Sequence, residues 1–339
     1  MSPAGMTTNL AANPTTMGRK RKGKPIHGWI AVDKDIGLTS TQVVGRIRRM
    51  FDAQKAGHAG TLDPLATGVL PIALGEATKT VPYVMNGAKA YRFTACFGEA
   101  RDTDDLEGRV IVTSDVRPDD DAIRAALPAY TGTILQVPPV YSAVKIDGQR
   151  SYKLARAGEG ELPPARNVEI QRFALVGRPD RDHAVFEVEC GKGTYIRSLA
   201  RDLGETLGTV AHVSELRRTL CGPFSEDDAI SLDKLAEIML CALPQECLLP
   251  VTTALDDIPA LAMTDTQTDH LRHGRAVRAR SGSTIFVDAN QLDAIRDGHL
   301  LCAMSGQTPV ALARLEGEEI QPVRVLNIES APEKGAETE

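Results

Sequence analysis

Short apolar runs alternate with turn residues along this chain, and their period switches between that of a strand and that of a helix. In GWIAVDKDIGLTS, Trp29 to Val32 predicts a strand and Asp33 to Gly37 a turn. Ser40 and Thr41 are expected to cap a helix in which Val43, Val44, Ile47, Met50 and Phe51 recur at helical spacing. Its other face carries Arg46, Arg48 and Arg49. Val69 to Leu74 is continuously apolar and suits a buried strand. Tyr91 to Phe97 predicts another strand, and DTDDLEG an acidic turn. Asp119 or Asp120 is placed to cap a helix through Ile123, Ala126 and Leu127.

The segment QVPPVYSAVKIDGQRSYKLARAG predicts a strand after its prolines, a turn at Asp147-Gly148, and a short helix. Val168 to Cys190 is strand-like, and GKGTYIRSLARDLG reads as a strand running into a helix. Strands alternate with helices, yet hairpin-like connections recur. That favours an α+β fold with a mixed sheet over a doubly wound parallel one. Around residue 255 the pattern changes, with Pro250 and Pro259 in LPVTTALDDIPALAM. Beyond it DHLRHGRAVRA, STIFVDA and PVALARLEGEEIQPVRVLNI alternate, with a hairpin turn at Glu316-Gly317-Glu318. The expected organisation is a disordered basic arm over 1–25, a main domain over 26–255, a small β-rich module over 256–328 and an acidic tail over 329–339.

Composition narrows the class. The 339 residues are 42% hydrophobic and 25% charged, as in an ordinary globular protein. No apolar run approaches the roughly 18 residues of a membrane span, and no secretory h-region opens the chain. Six cysteines without a CxxC pair read as reduced thiols, neither a disulfide framework nor a zinc site, so a cytoplasmic location is expected. Net charge is −6, but the residues before Asp63 hold ten Lys and Arg against three Asp. A local basic face attracts phosphate even on an acidic protein, because screening limits the field to roughly 8–10 Å. The spacing Gly68…Gly75 with Lys79 and Thr80 does not make a phosphate loop, and neither GxGxxG after a strand nor GxSxG occurs.

One acid stands out. In HAGTLDPLATGVLPIALGEATK, Asp63 sits between Leu62 and Pro64 at the mouth of an apolar run, flanked by Gly57, Gly60 and Gly68. Local sequence alone also allows an ordinary turn acid there. GHAGTLDPLATGVLPIALGEATK, PPVYSAVKIDGQRSYKLARAG and GTYIRSLARDLG together resemble the TruB family, the tRNA pseudouridine-55 synthases. VDKDIGLTSTQVV resembles that family's N-terminal motif, and ELRRTLCGPFSEDDAISLDKL the end of its catalytic domain. The resemblance covers roughly residues 28–250. The C-terminal module resembles the family's PUA domain, a small RNA-binding β-barrel, through LRHGRAV and its strand pattern.

The resemblance implies a set of roles. Asp63 falls on the catalytic aspartate, Arg197 on the arginine that pairs with it, and Tyr195 on the tyrosine proposed to take the C5 proton. Tyr91 falls on the tyrosine that stacks on the flipped uracil, a contact worth about 1–3 kcal/mol per base. His58 matches the histidine beside the flipped base, and Leu216 an apolar residue at the pocket. Lys34 and Lys145 match basic positions with phosphate or packing roles. Asp105 matches an acid that positions the base or another side chain. No cofactor and no metal are implied, because the isomerisation needs neither redox chemistry nor an external nucleophile. The implied partner is the T-arm of tRNA, with no membrane, no obligate protein partner and a monomeric state. Two rivals stay open: a guide-RNA-dependent synthase of another RNA, and a non-catalytic tRNA-folding factor.

Overall fold

The computed structural model describes residues 22–142, 144–146, 148–151, 162–241, 244–278 and 298–329. The first apolar run becomes strand β1 (Gly28–Lys34), followed by helix α1 (Ser40–Met50). Thr39, not Ser40 or Thr41, caps α1. Its hydroxyl accepts from Gln42 N while the Gln42 side chain returns to Thr39 N, a capping box. Ser40 is thereby freed for another contact. Next come β2 (Ala56–His58), β3 (Thr67–Leu74), α2 (Val81–Asn86) and β4 (Lys89–Phe97). A ribbon of β5 (Glu99–Arg101) and β6 (Val110–Thr113) encloses the acidic turn. Helix α3 (Asp120–Ala126), capped by Asp119, precedes β7 (Gly132–Gln136).

The short pair β8 (Lys145–Ile146) and β9 (Gln149–Arg150) follows, and the helix expected after it lies outside the described residues. The strand-like stretch is a hairpin of β10 (Arg166–Gly177) and β11 (His183–Cys190). A turn, not a strand, leads from β11 into α4 (Ile196–Thr206). The main domain closes with β12 (Ala211–Cys221), β13 (Phe224–Ser225), β14 (Ile230–Ser231) and α5 (Leu232–Ile238).

Among the described residues these strands form a ten-stranded sheet with the order β14-β1-β3-β12-β4-β11-β10-β7, β2 pairing with β3 and β13 with β12. Pairing is antiparallel except for β1 with β14 and β3 with β12, so the sheet is mixed and the fold α+β, as the pattern predicts. Two apolar clusters cover one face. In one, α4 packs Ile196, Leu199 and Leu203 on Phe93, Phe186 and Val213. In the other, α1 packs Val43 and Ile47 on Ile30, Val32, Leu70 and Ile72. Tyr91 and Leu216 touch both clusters and mark the seam between them. Trp29 and Phe224 anchor a third cluster that also holds Ala31, Val69 and Ala73.

Beyond residue 255 a second sheet holds β15 (Ala260–Ala262), β16 (Val277–Arg278), β17 (Leu300–Ser305), β18 (Thr308–Glu316) and β19 (Glu319–Val325). Its order is β15-β17-β18-β19-β16, an open mixed sheet among the described residues rather than a closed barrel. The expected hairpin turn joins β18 to β19. DHLR is not a strand but part of helix α6 (Asp265–Arg272), because Thr264 and Gln267 make a capping box there. STIFVDA lies outside the described residues, as do most of the N-terminal arm and the acidic tail. Lys24, inside the expected arm, already bridges to Ala53.

Candidate active site

Asp63 rides on the loop between β2 and β3, and that loop is fixed through its backbone. The Ser40 hydroxyl accepts from Leu62 N at 2.9 Å and donates to Leu62 O at 3.1 Å. Pro64 O accepts from Gly37 N at 2.8 Å and from Lys34 Nζ at 3.2 Å. Gly60 O accepts from the Arg218 guanidinium at 3.2 Å. Bonds therefore fall on the residues either side of Asp63 and leave its side chain 39% accessible. At the end of the loop Gly68 has φ +94°, and a Cβ there would lie inside contact distance of the Arg218 carbonyl. Only glycine permits that approach between β3 and β12.

The carboxylate meets one cation. Arg197, in the first turn of α4, places Nη2 3.0 Å from Asp63 and Nη1 3.5 Å from Asp105. Its side chain is only 6% exposed. It also donates to Thr103 O at 2.9 Å and Tyr141 O at 3.0 Å. Four acceptors thus fix a planar fork whose geometry suits carboxylate binding. Asp105 is buried and accepts from the Thr103 hydroxyl at 2.6 Å and Glu107 N at 3.0 Å. Of the two roles expected for Asp105, the geometry matches the positioning of another side chain, Arg197.

Tyr195 caps α4 two residues before Arg197. Its backbone is held both ways by buried Gln136, which donates to Tyr195 O at 3.0 Å and accepts from Tyr195 N at 2.8 Å. The Arg166 guanidinium lies 4.9 Å from the centre of the Tyr195 ring. Tyr91 and Leu216 sit on the sheet at the seam of the two cores. Burial pushes the Tyr91 phenol up to about 12 against the pull of Arg218, so it is protonated throughout the neutral range. His58 ends β2 with its Nδ1 buried and unpartnered, and burial and then Arg218 lower its pKa, which keeps it neutral. Lys34 is fully buried with Nζ on the carbonyls of Asp35, Leu38 and Pro64. That commitment matches packing rather than phosphate contact, and burial lowers its pKa to about 8 despite the opposing pull of Asp63. Lys145 pairs through its backbone with Arg150, and its side chain lies outside the described residues.

Several residues at this site escape a local reading: Ser40, Gln136, Arg166 and Arg218. The strongest available signal was ELRRTL. Neighbouring strand residues face opposite ways, so two adjacent arginines cannot both point outward from a strand inside a sheet. Arg217 turns to Asp33, at 2.9 and 3.1 Å, and to Glu226. Arg218 turns inward and is buried. Among the described residues no group of His, Cys, Asp and Glu is arranged to hold a metal ion. No helix among them is long and apolar enough to cross a membrane.

With this geometry in place, comparison with known proteins becomes specific. Residues 48–196 match the N-terminal domain of the TruB family pseudouridylate synthases, and residues 197–256 match the tRNA pseudouridylate synthase B C-terminal domain. A tRNA pseudouridine synthase B of Gluconacetobacter diazotrophicus is 55% identical over 91% of this chain and 100% of its own length. That of Bradyrhizobium diazoefficiens is 54% identical over 91% of this chain and 88% of its own. A chain in the crystal structure of a Cbf5-Nop10-Gar1 complex superposes with a TM-score of 0.68 at 28% identity, covering 88% of this chain and 84% of that one. The chain belongs to the TruB family of pseudouridine synthases.

Proposed function

We propose that this protein isomerises uridine-55 in the T-loop of tRNA to pseudouridine, working alone in the cytoplasm as a monomer. The observation that carries the reading is a single half-accessible carboxylate, Asp63, held by a buried arginine at 3.0 Å. Arg197 pairs with one oxygen of the carboxylate and orients it. The oxygen turned away from Arg197 is then available as nucleophile or base. It bonds to C1′ or to C6, or it takes the C2′ proton; all three routes fit a single acid. The C1′–N1 bond breaks, the uracil turns, and C5 bonds to C1′. Tyr195 takes the proton that C5 loses, and N1 gains one, so the product is an isomer.

The target base must leave the T-loop at a cost of a few kcal/mol. The Tyr91 ring, at the seam of the two cores, is placed to stack on it and return part of that cost. His58 fills space beside the flipped base, Leu216 lines the pocket wall, and Lys34 holds the loop from below. Asp105 fixes Arg197. Lys145 supplies a basic contact to the RNA. The catalytic domain spans 26–255, a boundary supported by the end of the family match at residue 256. The sheet beyond it serves as a PUA-like RNA-binding module.

The tRNA reading outweighs the guide-RNA rival because the bacterial tRNA enzymes are 55% and 54% identical, against 28% for the chain in the Cbf5 complex. Incubation with a bare T-arm hairpin, followed by nuclease digestion and chromatography of the nucleosides, tests it. Pseudouridine at the position equivalent to 55 is expected without added RNA or protein. Conversion only with a guide RNA would transfer the case to the rival, and binding without conversion would make the protein a folding factor.

A further inference from the structure

Among the described residues the arginines around the active site differ in what they face. Arg197 faces Asp63 and Asp105, and Arg201 faces Asp104 and Asp202. Arg218 is 1% exposed, yet no carboxylate lies within ion-pair distance of it among the described residues. Its Nε donates to Val69 O at 2.7 Å and its Nη2 to Gly60 O at 3.2 Å. Directly across the sheet from Arg218 stands Tyr91, and the Arg218 charge opposes the rise that burial imposes on its phenol. Leu216, two positions earlier on β12, shares that face.

Arg218 is thus a buried cation beside the active site whose bonds go to carbonyl oxygens. Burying a charge without a counter-charge is costly. A fixed positive charge is useful where negative charge appears during a reaction, because fixed dipoles and charges in a dry site need no reorganisation. We propose that Arg218 is a positioning residue for the isomerisation, acting through the Tyr91 hydroxyl to stabilise the negative charge on the uracil.

The proposal rests on the pseudouridine synthase reading. When C1′–N1 breaks, both bonding electrons stay on N1 and spread to O2 and O4. C1′ is satisfied by a bond to an Asp63 oxygen, or by a double bond to C2′ once its proton has left. If Asp63 adds to C6 first, the charge spreads over C5 and O4 instead. In each route the uracil carries negative charge until C5 bonds to C1′, which leaves the base neutral; the C5 proton then leaves and N1 takes one up. A backbone phosphate is a less suitable recipient, since Arg218 lies behind Gly60 and Tyr91.

The test compares native protein with Arg218→Gln in single turnover on T-arm hairpins carrying uridine or 5-fluorouridine at the target, scored for both by loss of the C1′–N1 bond, because a C5 fluorine cannot leave as a proton. Fluorine withdraws electrons and makes the uracil a better anion, so its departure needs less help. Arg218→Gln is expected to slow the bound uridine hairpin about 100-fold and the 5-fluorouridine hairpin about tenfold or less, with Kd within about threefold for both. Equal slowing of the two would reduce Arg218 to a packing role and overturn the proposal. A loss confined to Kd would assign the charge to phosphate and overturn it as well. If Arg218→Gln does not fold, Tyr91→Phe removes the hydroxyl and keeps the guanidinium; the same unequal slowing is expected, and equal slowing refutes the relay. Native protein that converts neither hairpin would instead refute the synthase reading underneath.

Discussion

The Asp63 loop and the C-terminal sheet are held to the rest of the molecule in opposite ways. The loop is tied by polar bonds to residues in α1, β3, α4 and β12 and to the segment after β1. Most of these bonds end on its backbone. The C-terminal sheet meets the main domain largely through side-chain packing. Tyr83 and Leu255 pack on Cys302, Met304 and Leu312. Beside them Glu76 accepts from Lys79 Nζ at 2.6 Å and Asn327 N at 2.8 Å, and Lys79 donates to Val325 O at 2.8 Å. A reacting carboxylate needs placement to a fraction of an ångström, and many distant anchors supply it. On the RNA-binding role proposed for it, the C-terminal sheet needs no such placement.

Cutting the cation at the loop should have the largest effect. Arg197→Ala leaves Asp63 and Asp105 without their shared partner. Turnover should fall about 10²–10³-fold and stability by about 3–5 kcal/mol, while RNA affinity stays within several-fold. Single-turnover rates beside filter binding check this, and a loss confined to binding would contradict it. Ser40→Ala removes a smaller anchor. It strands the buried Leu62 amide, and denaturant titration should show a loss of about 1–3 kcal/mol.

Lys34 probes the same loop through pH. Its value of about 8 in the native protein lies below the ordinary 10.5, so between those values the unfolded chain holds a proton that the native state has released. Unfolding then takes up protons, and Lys34 adds stability as pH rises across that window. The native protein should therefore gain melting temperature relative to Lys34→Met between about pH 8 and 10.5; a constant gap would contradict the burial. The mildest effect belongs to the contact with the C-terminal sheet. Glu76→Ala should raise KM for full-length tRNA about fivefold and leave the T-arm hairpin unaffected, the loss of about 1 kcal/mol being confined to orientation of the C-terminal sheet.

What could be read from the sequence follows the same division. Strands β1, β3 and β4 and the strand-like stretch that holds β10 and β11 are visible because their periods are local; the turn that splits that stretch into a hairpin is not. Asp63 and Arg197 emerge only from several motifs taken together. The loop's anchors are hidden because they join residues far apart: Ser40 to Leu62 across 22 positions, Arg218 to Gly60 across 158. No period encodes such bonds. At α6 the error was different. DHLRHGRAV alternates well enough for a strand, but Thr264 and Gln267, just upstream, carry the helix start.

Tritium release from C5-labelled uridine in a T-arm hairpin, by the native protein and by Asp63→Asn with RNA binding verified for both, tests the central claim most directly. Release by the native protein alone, with binding kept by the variant, is the predicted result. Equal release by Asp63→Asn, or none by a folded and RNA-binding native protein, would contradict it.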